Sequence, residues 1–396
     1  MTLSKDVHGL TVLADDLTSA GDGAAPFRQA GHDARILLTA PACAPRHTTG
    51  LSAVDLGTRV LDQEAAASRT WRAARLFAGS ELLFKTMDST LRGHVAAEVR
   101  AAWAGSRRRA VIVAPAFPAE GRVTVEGVQH VSGVPVHQSD FARDPAHPVQ
   151  CSNLTMLFPE AVLRQPEGAA DLPGLIENGD LIVYSAADDG DLDRLVAAVP
   201  RLDDVLWVGS PGLAAALARR CARPAGSAAS LPTPARRPLV VVGSTNQATR
   251  RQLAKLHASV DVQGVTVGVD PDPAVETLRG LTTSILTLQT PDERHTPETA
   301  EVLARSQAAV VRALTEDHTV DALVITGGET ATTVLQPLGT TGIDLLDEPE
   351  PGVVRGSLIG PLPLCVLIKA GGFGDDAMLL RLCDLIRHPV NQGEHA

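Results

Sequence analysis

Residues 10–30 read LTVLADDLTSAGDGAAPFRQA, and this stretch shows the pattern on which the fold of the chain depends. Residues 10–14 form a short apolar run with β-branched side chains, which predicts a buried strand. Residues 19–30 predict the helix that follows it. Two adjacent carboxylates, Asp15 and Asp16, stand where the predicted strand ends.

The same alternation continues along the chain, and it predicts an α/β fold with largely parallel sheets and helices on both faces. In the first half, strands are predicted at 82–86, 110–113, 181–185 and 206–209, and helices at 62–77, 95–103 and after Gly212. Residues 122–136 depart from the pattern. There, Ser132 and Gly133 stand between two β-rich runs and predict a hairpin.

Pro, Ala, Ser and Gly dominate residues 222–238, and the absence of any amphipathic period predicts a linker. A second α/β series follows, with strands predicted at 239–242, 322–325 and 364–369 and helices at 246–257, 297–314, 330–338 and 377–386. We therefore predict two α/β domains, 1–225 and 239–396, joined by a linker at 226–238, with a ligand cleft between the domains.

Composition excludes several classes of protein. A length of 396 residues suggests two domains, and 44% hydrophobic residues suffice for two cores. The formal net charge of −11 argues against binding to nucleic acid or to an anionic membrane. Five cysteines without CxxC spacing argue against disulfides or a zinc site. No signal peptide or apolar run long enough for a bilayer is visible, so we expect a cytoplasmic protein.

Ligands of open α/β sheets bind beyond the carboxyl ends of the strands, so the residues at those positions are the candidates for a site. Asp15 and Asp16 could accept hydrogen bonds from sugar hydroxyls, or one of them could act as a general base. The alternative is that Asp16 or Thr18 caps the helix that follows.

The stretch KTMDSTLRG after the predicted strand 82–86 is a second candidate. Lys85 and Arg92 could bind a substrate carboxylate, and Asp88 could accept substrate hydroxyls. The alternative is a salt-bridged loop in which Ser89 caps a helix. A rigid loop that ends at Arg122 and the stretch that ends at Arg59 are weaker candidates.

The second domain carries a different chemistry. Three predicted strands are each followed by a glycine-containing turn that opens a helix, at 243–246, 326–330 and 369–376. Glycine lets backbone N–H groups approach an anion closely, and helix N-termini favour negative charge. The trio predicts a phosphate site. No P-loop, GxGxxG, HExxH or GxSxG motif is present. The first half of the chain thus carries residues suited to a polyol acid, and the second half carries turns suited to phosphates. This combination predicts a small-molecule kinase.

At these residues the sequence resembles the four-carbon acid sugar kinases. The resemblance rests on stretches of the types ADDLTGA, KxDSTLRG, PAFPxxGR, FARDP, TGGDTA and K(S/A)GxFG, found here at 14–20, 85–93, 115–122, 141–145, 326–331 and 369–374. It implies a sugar-binding first domain, a nucleotide-binding second domain, and phosphorylation of the terminal hydroxyl of threonate, erythronate or an oxo-tetronate.

The resemblance also implies the residues that hold ATP, which are Ser244, Gly327, Gly328, Glu329, Thr330, Gly371 and Gly372. Three positions depart from the usual motifs. Ser19 stands where glycine is usual, Glu329 stands where aspartate is usual, and the stretch from Asp55 to Arg59 lacks its second acidic group.

We predict that Lys85 and Arg92 hold the substrate carboxylate and contribute to catalysis, and that Asp15, Asp16 and Asp88 receive the substrate hydroxyls. Ser89 and Arg122 complete the predicted substrate-binding residues. Asp16 and Asp88 are the leading candidates for the base, and the choice between them stays open.

Mg²⁺ is expected to accompany ATP, with Glu329 or Asp375 holding its waters. Lys369 is expected to neutralise phosphate charge. The alternatives are an NAD-dependent sugar-acid dehydrogenase and a non-catalytic sugar-acid sensor. A homodimer is expected, because most soluble oligomers are symmetric homo-oligomers.

Overall fold

The computed structural model describes residues 8–42, 50–144, 147–224, 232–243, 246–259, 261–293 and 295–389. The chain divides into two compact units, residues 1–226 and 227–396. Each unit is built from alternating strands and helices, as the sequence predicts.

In the described part of the first unit, eight strands lie side by side in the order β2-β3-β1-β4-β11-β5-β10-β9, and each is parallel to its neighbours in this order. These strands are β1 (His8–Ala14), β2 (Ala34–Leu37), β3 (Leu51–Asp55), β4 (Ser80–Thr86), β5 (Ala110–Ala114), β9 (Val162–Arg164), β10 (Leu181–Tyr184) and β11 (Val205–Gly209). The helices are α1 (Leu17–Gln29), α2 (Gln63–Leu76), α3 (Val95–Ser106), α4 (Leu154–Leu157), α5 (Leu172–Asn178), α6 (Asp189–Ala198) and α7 (Pro211–Arg220).

The helices of the first unit form two groups on opposite faces of this sheet. Helices α2 and α3 pack on each other, and α1 and α6 pack on α7. Side chains of α2 and α3 share a core with alternate strand residues such as Leu13, Leu83 and Val111. Because successive residues of a strand point to opposite faces, the intervening strand residues face the helices of the other group, α1, α6 and α7. The prediction of helices on both faces is confirmed.

A small antiparallel sheet of β6 (Arg122–Val125), β7 (Val128–Val131) and β8 (Val134–Pro135) replaces the single hairpin predicted at 122–136. The turn at Ser132-Gly133 is present, and a second turn lies at Glu126-Gly127. All four turn residues have positive φ, which suits a tight hairpin. The second turn escaped prediction because glutamate seldom occupies such a position.

The second unit contains seven strands in the order β13-β14-β12-β15-β18-β17-β16. They are β12 (Pro238–Val242), β13 (Val262–Thr266), β14 (Ile285–Gln289), β15 (Ala322–Thr326), β16 (Gly342–Asp347), β17 (Val353–Ile359) and β18 (Cys365–Lys369). The helices are α8 (Gln247–His257), α9 (Asp272–Gly280), α10 (Pro297–Glu316), α11 (Gly328–Leu335) and α12 (Met378–Arg387). The first five strands are parallel neighbours, and β16 and β17 continue the sheet in antiparallel fashion.

Among the helices that the structure describes, none combines the length and the apolar character needed to span a lipid bilayer.

Candidate active site

The carboxyl ends of three adjacent strands bring the candidate residues of the first unit to one edge of its sheet. Strand β1 lies between β3 and β4, so that Ala14 pairs with Asp55 and Leu13 pairs with Lys85. The segments that follow these strands therefore meet at the same edge, which is where open α/β sheets bind ligands.

A cavity opens at this edge. It is lined by Asp15, Lys85, Thr86, Met87, Asp88, Arg92, His94, Val95, Glu98 and Val99. Four of the residues predicted from the sequence, Asp15, Lys85, Asp88 and Arg92, thus share one cavity. Asp16 lies beside it, at the start of α1.

Arg59 links the two adjacent carboxylates. Its Nε donates to Asp15 Oδ2 at 2.9 Å, its Nη1 donates to Asp16 Oδ2, and its Nη2 donates to Ser19 Oγ at 3.0 Å. Burial by itself raises the pKa of the Asp15 carboxyl, but the charges of Arg59 and Lys85 outweigh burial and lower this pKa to about 2. Asp15 is therefore ionised at neutral pH.

Asp16 is the N-cap of α1. Its Oδ1 accepts hydrogen bonds from the Ser19 backbone N–H at 2.7 Å and from Thr18 Oγ1 at 2.9 Å. The capping role weighed as an alternative from the sequence is thus present in the structure. Ser19, which stands where the related motif has glycine, takes part both in this cap and in the contact with Arg59.

Asp88 and Arg92 form a second ion pair, with Arg92 Nε 2.5 Å from Asp88 Oδ2. Asp88 Oδ1 accepts from the backbone N–H and the hydroxyl of Thr90, at 2.9 and 2.8 Å. Burial raises the pKa of Asp88, but Arg92, Arg59 and the Thr90 hydrogen bonds outweigh it and lower this pKa below its ordinary value. Arg92 also lies 3.5 Å from Asp144 and over the ring of Phe141.

Lys85 forms a buried ion pair that the sequence did not reveal. Its Nζ lies 2.9 Å from Glu98 Oε2. The two side chains are only 4% and 5% exposed to solvent. The ammonium also donates to the Thr86 carbonyl at 2.8 Å. Glu98 lies on α3 in the stretch VAAEVRAAW, where a carboxylate among small apolar residues was the only available signal.

Ser89 and Arg122 lie together, as Arg122 Nη1 donates to Ser89 Oγ at 2.7 Å. The fully buried Gln129 of β7 donates to the Ser89 carbonyl at 2.8 Å and accepts from Thr124 Oγ1 at 2.6 Å. The small antiparallel sheet is therefore tied to the loop that follows β4, which gives Arg122 a definite place beside the site.

Two histidines hold the loop that carries Arg59. His94 Nε2 lies 2.7 Å from the Leu61 carbonyl, and His147 Nε2 lies 2.7 Å from the Arg59 carbonyl. Their rings meet edge to face, with centroids 5.7 Å apart. Neither histidine had a sequence signal, because their partners are backbone atoms distant along the chain.

In the second unit, the three glycine-containing turns follow adjacent parallel strands. Val242 pairs with Thr326, and Thr326 pairs with Lys369. The residues that directly follow these strands, Gly243, Gly327 and Ala370, therefore lie side by side at one sheet edge. Ser244, predicted as a nucleotide ligand, lies outside the described residues.

The start of α11 suits an anion. Its N-cap, Gly327, has φ of 90°, in the left-handed region that favours glycine, and it offers no side-chain cap to the first turn. Gly328, Glu329 and Thr330 form that first turn, and unsatisfied N–H groups there attract negative charge. The exposed Glu329 adds a carboxylate beside them.

The turn that contains Gly371 and Gly372 is held by its carbonyl groups. Lys369 Nζ donates to the carbonyls of Ala370, Gly371 and Phe373 at 2.7, 3.2 and 2.9 Å. Thr249 Oγ1 donates to the Gly371 carbonyl at 2.7 Å. In this structure the ammonium of Lys369 therefore shapes the turn itself.

Asp375, the second carboxylate predicted to hold the waters of Mg²⁺, is already hydrogen-bonded and ion-paired within the protein. Its Oδ1 accepts from the Ala377 backbone N–H and pairs with Arg381, both at 2.9 Å. The hydrogen bond from Arg381 lowers the pKa of this carboxyl. Within the described ranges, no group of three or more His, Cys, Asp or Glu side chains is placed to hold a metal ion.

The burial of Lys369 predicts a pH dependence of stability. Burial lowers the pKa of Lys369 from 10.5 to about 8. Between those pH values the unfolded chain keeps a proton that the folded chain has released, so folding stability rises with pH across that window, by about 3 kcal/mol at most. Urea denaturation at pH 7.5, 9 and 10 measures it. The matched control is Lys369→Met. If the difference in the free energy of unfolding between the wild type and this variant does not change with pH, the lowered pKa of Lys369 is contradicted.

Comparison with known proteins agrees with this division of chemistry. A model described as the sugar-binding N-terminal domain matches residues 10–217, and a model described as the nucleotide-binding C-terminal domain matches residues 239–379. The D-threonate kinase of Bordetella bronchiseptica is 33% identical over 95% of this chain and 97% of its own length. The D-threonate kinase of Cupriavidus necator is also 33% identical, over 93% and 95%.

A D-erythronate kinase of Heliobacterium modesticaldum is 28% identical, over 89% of this chain and 91% of its own length. Among solved structures, a protein of Salmonella typhimurium LT2 aligns with a TM-score of 0.77 at 20% identity, over 94% of this chain and 98% of its own. Haemophilus influenzae protein HI1011 aligns with a TM-score of 0.73 at 19% identity, over 95% and 100%. These two likenesses show the fold.

Together the matched domains define a protein with a sugar-binding unit followed by a nucleotide-binding unit. Within that class, the chain belongs to the family of four-carbon acid sugar kinases. The resemblance drawn from the motifs is confirmed.

Proposed function

We propose that this protein transfers the γ-phosphoryl group of ATP to the terminal hydroxyl of a four-carbon sugar acid. The observation that carries this proposal is the cavity of the first unit, which is lined by both carboxylates and cations. Carboxylates accept hydrogen bonds from hydroxyls, and arginine and lysine bind a carboxylate. A polyol that carries an acid group matches both sets.

The roles follow from the contacts in the first unit. Arg92 uses Nε for Asp88 and Nη1 for Asp144, and its Nη2 group, which has no hydrogen bond to the described residues, is the proposed donor to a substrate carboxylate. Lys85 and Glu98 both line the cavity as a buried ion pair, so the positive charge proposed for the substrate carboxylate is mainly that of Arg92. Ser89 and Arg122 extend the polar surface beside Asp88. We assign the hydroxyl contacts to Asp15, Asp16 and Asp88, as the sequence predicted.

The second unit supplies the nucleotide contacts. Ser244, Gly327, Gly328, Glu329, Thr330, Gly371 and Gly372 are the proposed ligands of ATP. Phosphoryl transfer depends mainly on positioning and charge stabilisation, which backbone N–H groups at the start of α11 can provide. Mg²⁺ bound with ATP would neutralise phosphate charge. Glu329 is the carboxylate that fits its water ligands, because Asp375 is paired with Arg381.

D-threonate is the first substrate to test, because the two relatives that are 33% identical carry that name. We propose a role in sugar-acid catabolism in the cytoplasm. The homodimer expected from the sequence stays a prediction, which sedimentation velocity would test.

The decisive assay is ADP release, coupled to NADH oxidation, with ATP, Mg²⁺ and a panel of acids. The panel holds D- and L-threonate, D- and L-erythronate, 2- and 3-oxo-tetronate, and five-carbon acids as controls. Substrate-dependent ADP release with a four-carbon acid is the expected result. Release with no member of the panel, from folded protein that fails to bind ATP, would overturn the proposal and favour a sugar-acid sensor.

A further inference from the structure

The three aspartates proposed to contact substrate hydroxyls, Asp15, Asp16 and Asp88, differ in how many of their oxygens already accept hydrogen bonds. Asp88 accepts hydrogen bonds at both oxygens, from Thr90 and from Arg92. Asp16 likewise uses Oδ1 to cap α1 and Oδ2 to accept from Arg59. Each of these two carboxylates already accepts three hydrogen bonds, so fewer acceptor positions remain on them for a substrate hydroxyl.

Asp15 is different. Its Oδ2 accepts from Arg59, whereas its Oδ1 is buried and has no hydrogen-bond partner among the described residues. The residue as a whole is 5% exposed and lines the cavity. An unpaired buried oxygen costs free energy unless a water or a ligand group donates a hydrogen bond to it, so Asp15 Oδ1 is available to a substrate hydroxyl that enters the cavity.

We propose that Asp15, and neither Asp16 nor Asp88, is the catalytic residue that accepts the proton of the attacking substrate hydroxyl. The inference rests on the proposed function. A hydroxyl that donates to Asp15 Oδ1 is oriented for attack. As its oxygen forms a bond to the γ-phosphorus, the bond from that phosphorus to the β,γ-bridging oxygen breaks and ADP leaves. The hydroxyl proton passes to Asp15 Oδ1 and from there to solvent.

The surroundings of Asp15 support this role. Arg59 fixes the carboxylate through Oδ2 at 2.9 Å, so that Oδ1 keeps a definite position. The backbone carbonyl of Asp15 accepts from the N–H groups of Thr58 and Arg59, at 2.9 and 3.2 Å, which holds the same loop. Arg59 acts through Asp15, and it is therefore a positioning residue.

The test compares Asp15→Asn, Asp16→Asn and Asp88→Asn in the ADP-release assay with the best acid of the panel. General-base catalysis contributes typically a hundred-fold or more, so we expect Asp15→Asn to lower kcat by about a hundred-fold and to change the KM of the acid by less than about five-fold. Asparagine still caps a helix, so Asp16→Asn is expected to lower kcat by less than about ten-fold. Asp88→Asn is expected to act mainly on the KM of the acid.

Thermal melting of each variant separates a fold defect from a catalytic one. If Asp15→Asn does not fold, Asp15→Glu keeps the charge opposite Arg59 and moves the carboxylate by one methylene. This variant should melt near the wild type and lose at least about ten-fold in kcat. Wild-type kcat in a folded Asp15 variant, or a larger kcat loss in Asp16→Asn or Asp88→Asn, would overturn the inference and leave the proposed function intact. A wild-type protein without turnover would overturn both.

Discussion

Replacing Glu98 with glutamine is expected to lower the free energy of unfolding by about 3–5 kcal/mol, because it removes the carboxylate that is paired with the buried ammonium of Lys85. Lys85 Nζ and Glu98 Oε2 are 2.9 Å apart, and the two side chains are almost fully shielded from water. When one member of a buried pair is removed, the free-energy cost of burying the other charge is no longer offset by the attraction between the two. Urea denaturation at pH 7.5 measures the change.

The matched control is Glu301→Gln, which breaks the Glu301–Arg305 pair on the surface of α10. Those two side chains are 65% and 69% exposed, so the expected loss is below about 1 kcal/mol. The double variant Lys85→Met with Glu98→Leu should recover part of the stability lost by Glu98→Gln, because it removes both charges. A loss for Glu98→Gln no larger than that for Glu301→Gln would show that the buried pair does not stabilise the first unit.

Replacing Gly243 with alanine is expected to lower kcat/KM for ATP by about a hundred-fold. A Cβ at this position would lie 2.5 Å from Thr330 Oγ1 and 2.9 Å from Thr330 Cγ2. Threonine branches at Cβ, so rotation about χ1 cannot clear both atoms, and the first turn of α11 must shift. A displacement of about 1 Å in a positioning element can reduce turnover a hundred-fold. Initial rates at varied ATP measure the effect.

The control for this variant is Gly280→Ala at the end of α9, where an added Cβ meets nothing within 4 Å. It should leave kcat/KM for ATP unchanged. The KM of the sugar acid should change little in Gly243→Ala, since the affected turn belongs to the nucleotide-binding unit. Equal effects on both substrates would point to a general fold defect, and wild-type use of ATP would show that Thr330 can move at no cost to catalysis.

Much of the fold could be predicted from the sequence, because most helices and strands are indicated by residues within or next to the element itself. The helix predicted at 62–77 corresponds to Gln63–Leu76, with Asp62 as its N-cap and Phe77 as its C-cap. The strand predicted at 82–86 corresponds to Ser80–Thr86. Apolar periodicity and capping residues depend on neighbours within a few positions, so one sequence contains that information. The antiparallel strands β16 and β17 escaped prediction, because their pairing partners are set by the sheet as a whole.

The site was predictable in part for the same reason. Asp15, Lys85, Asp88 and Arg92 stand at strand ends, and parallel strands bring such residues to one edge. Glu98, His94 and His147 could not be predicted, since each acts through a partner in another element: Lys85 Nζ for Glu98, and the carbonyls of Leu61 and Arg59 for the histidines.

The sequence by itself determined the order of strands and helices, the two chemically distinct halves and the family, because periodicity, turn glycines and motif spacing are all properties of the chain. Only the tertiary structure decided which atoms at the site are already satisfied. Asp15 and Asp16 are neighbours of identical chemistry, yet Asp16 caps α1 and accepts from Arg59, whereas one oxygen of Asp15 has no hydrogen-bond partner among the described residues. That difference depends on where Arg59 and the start of α1 lie in space. Two identical residues at adjacent positions carry no sequence information that would distinguish them.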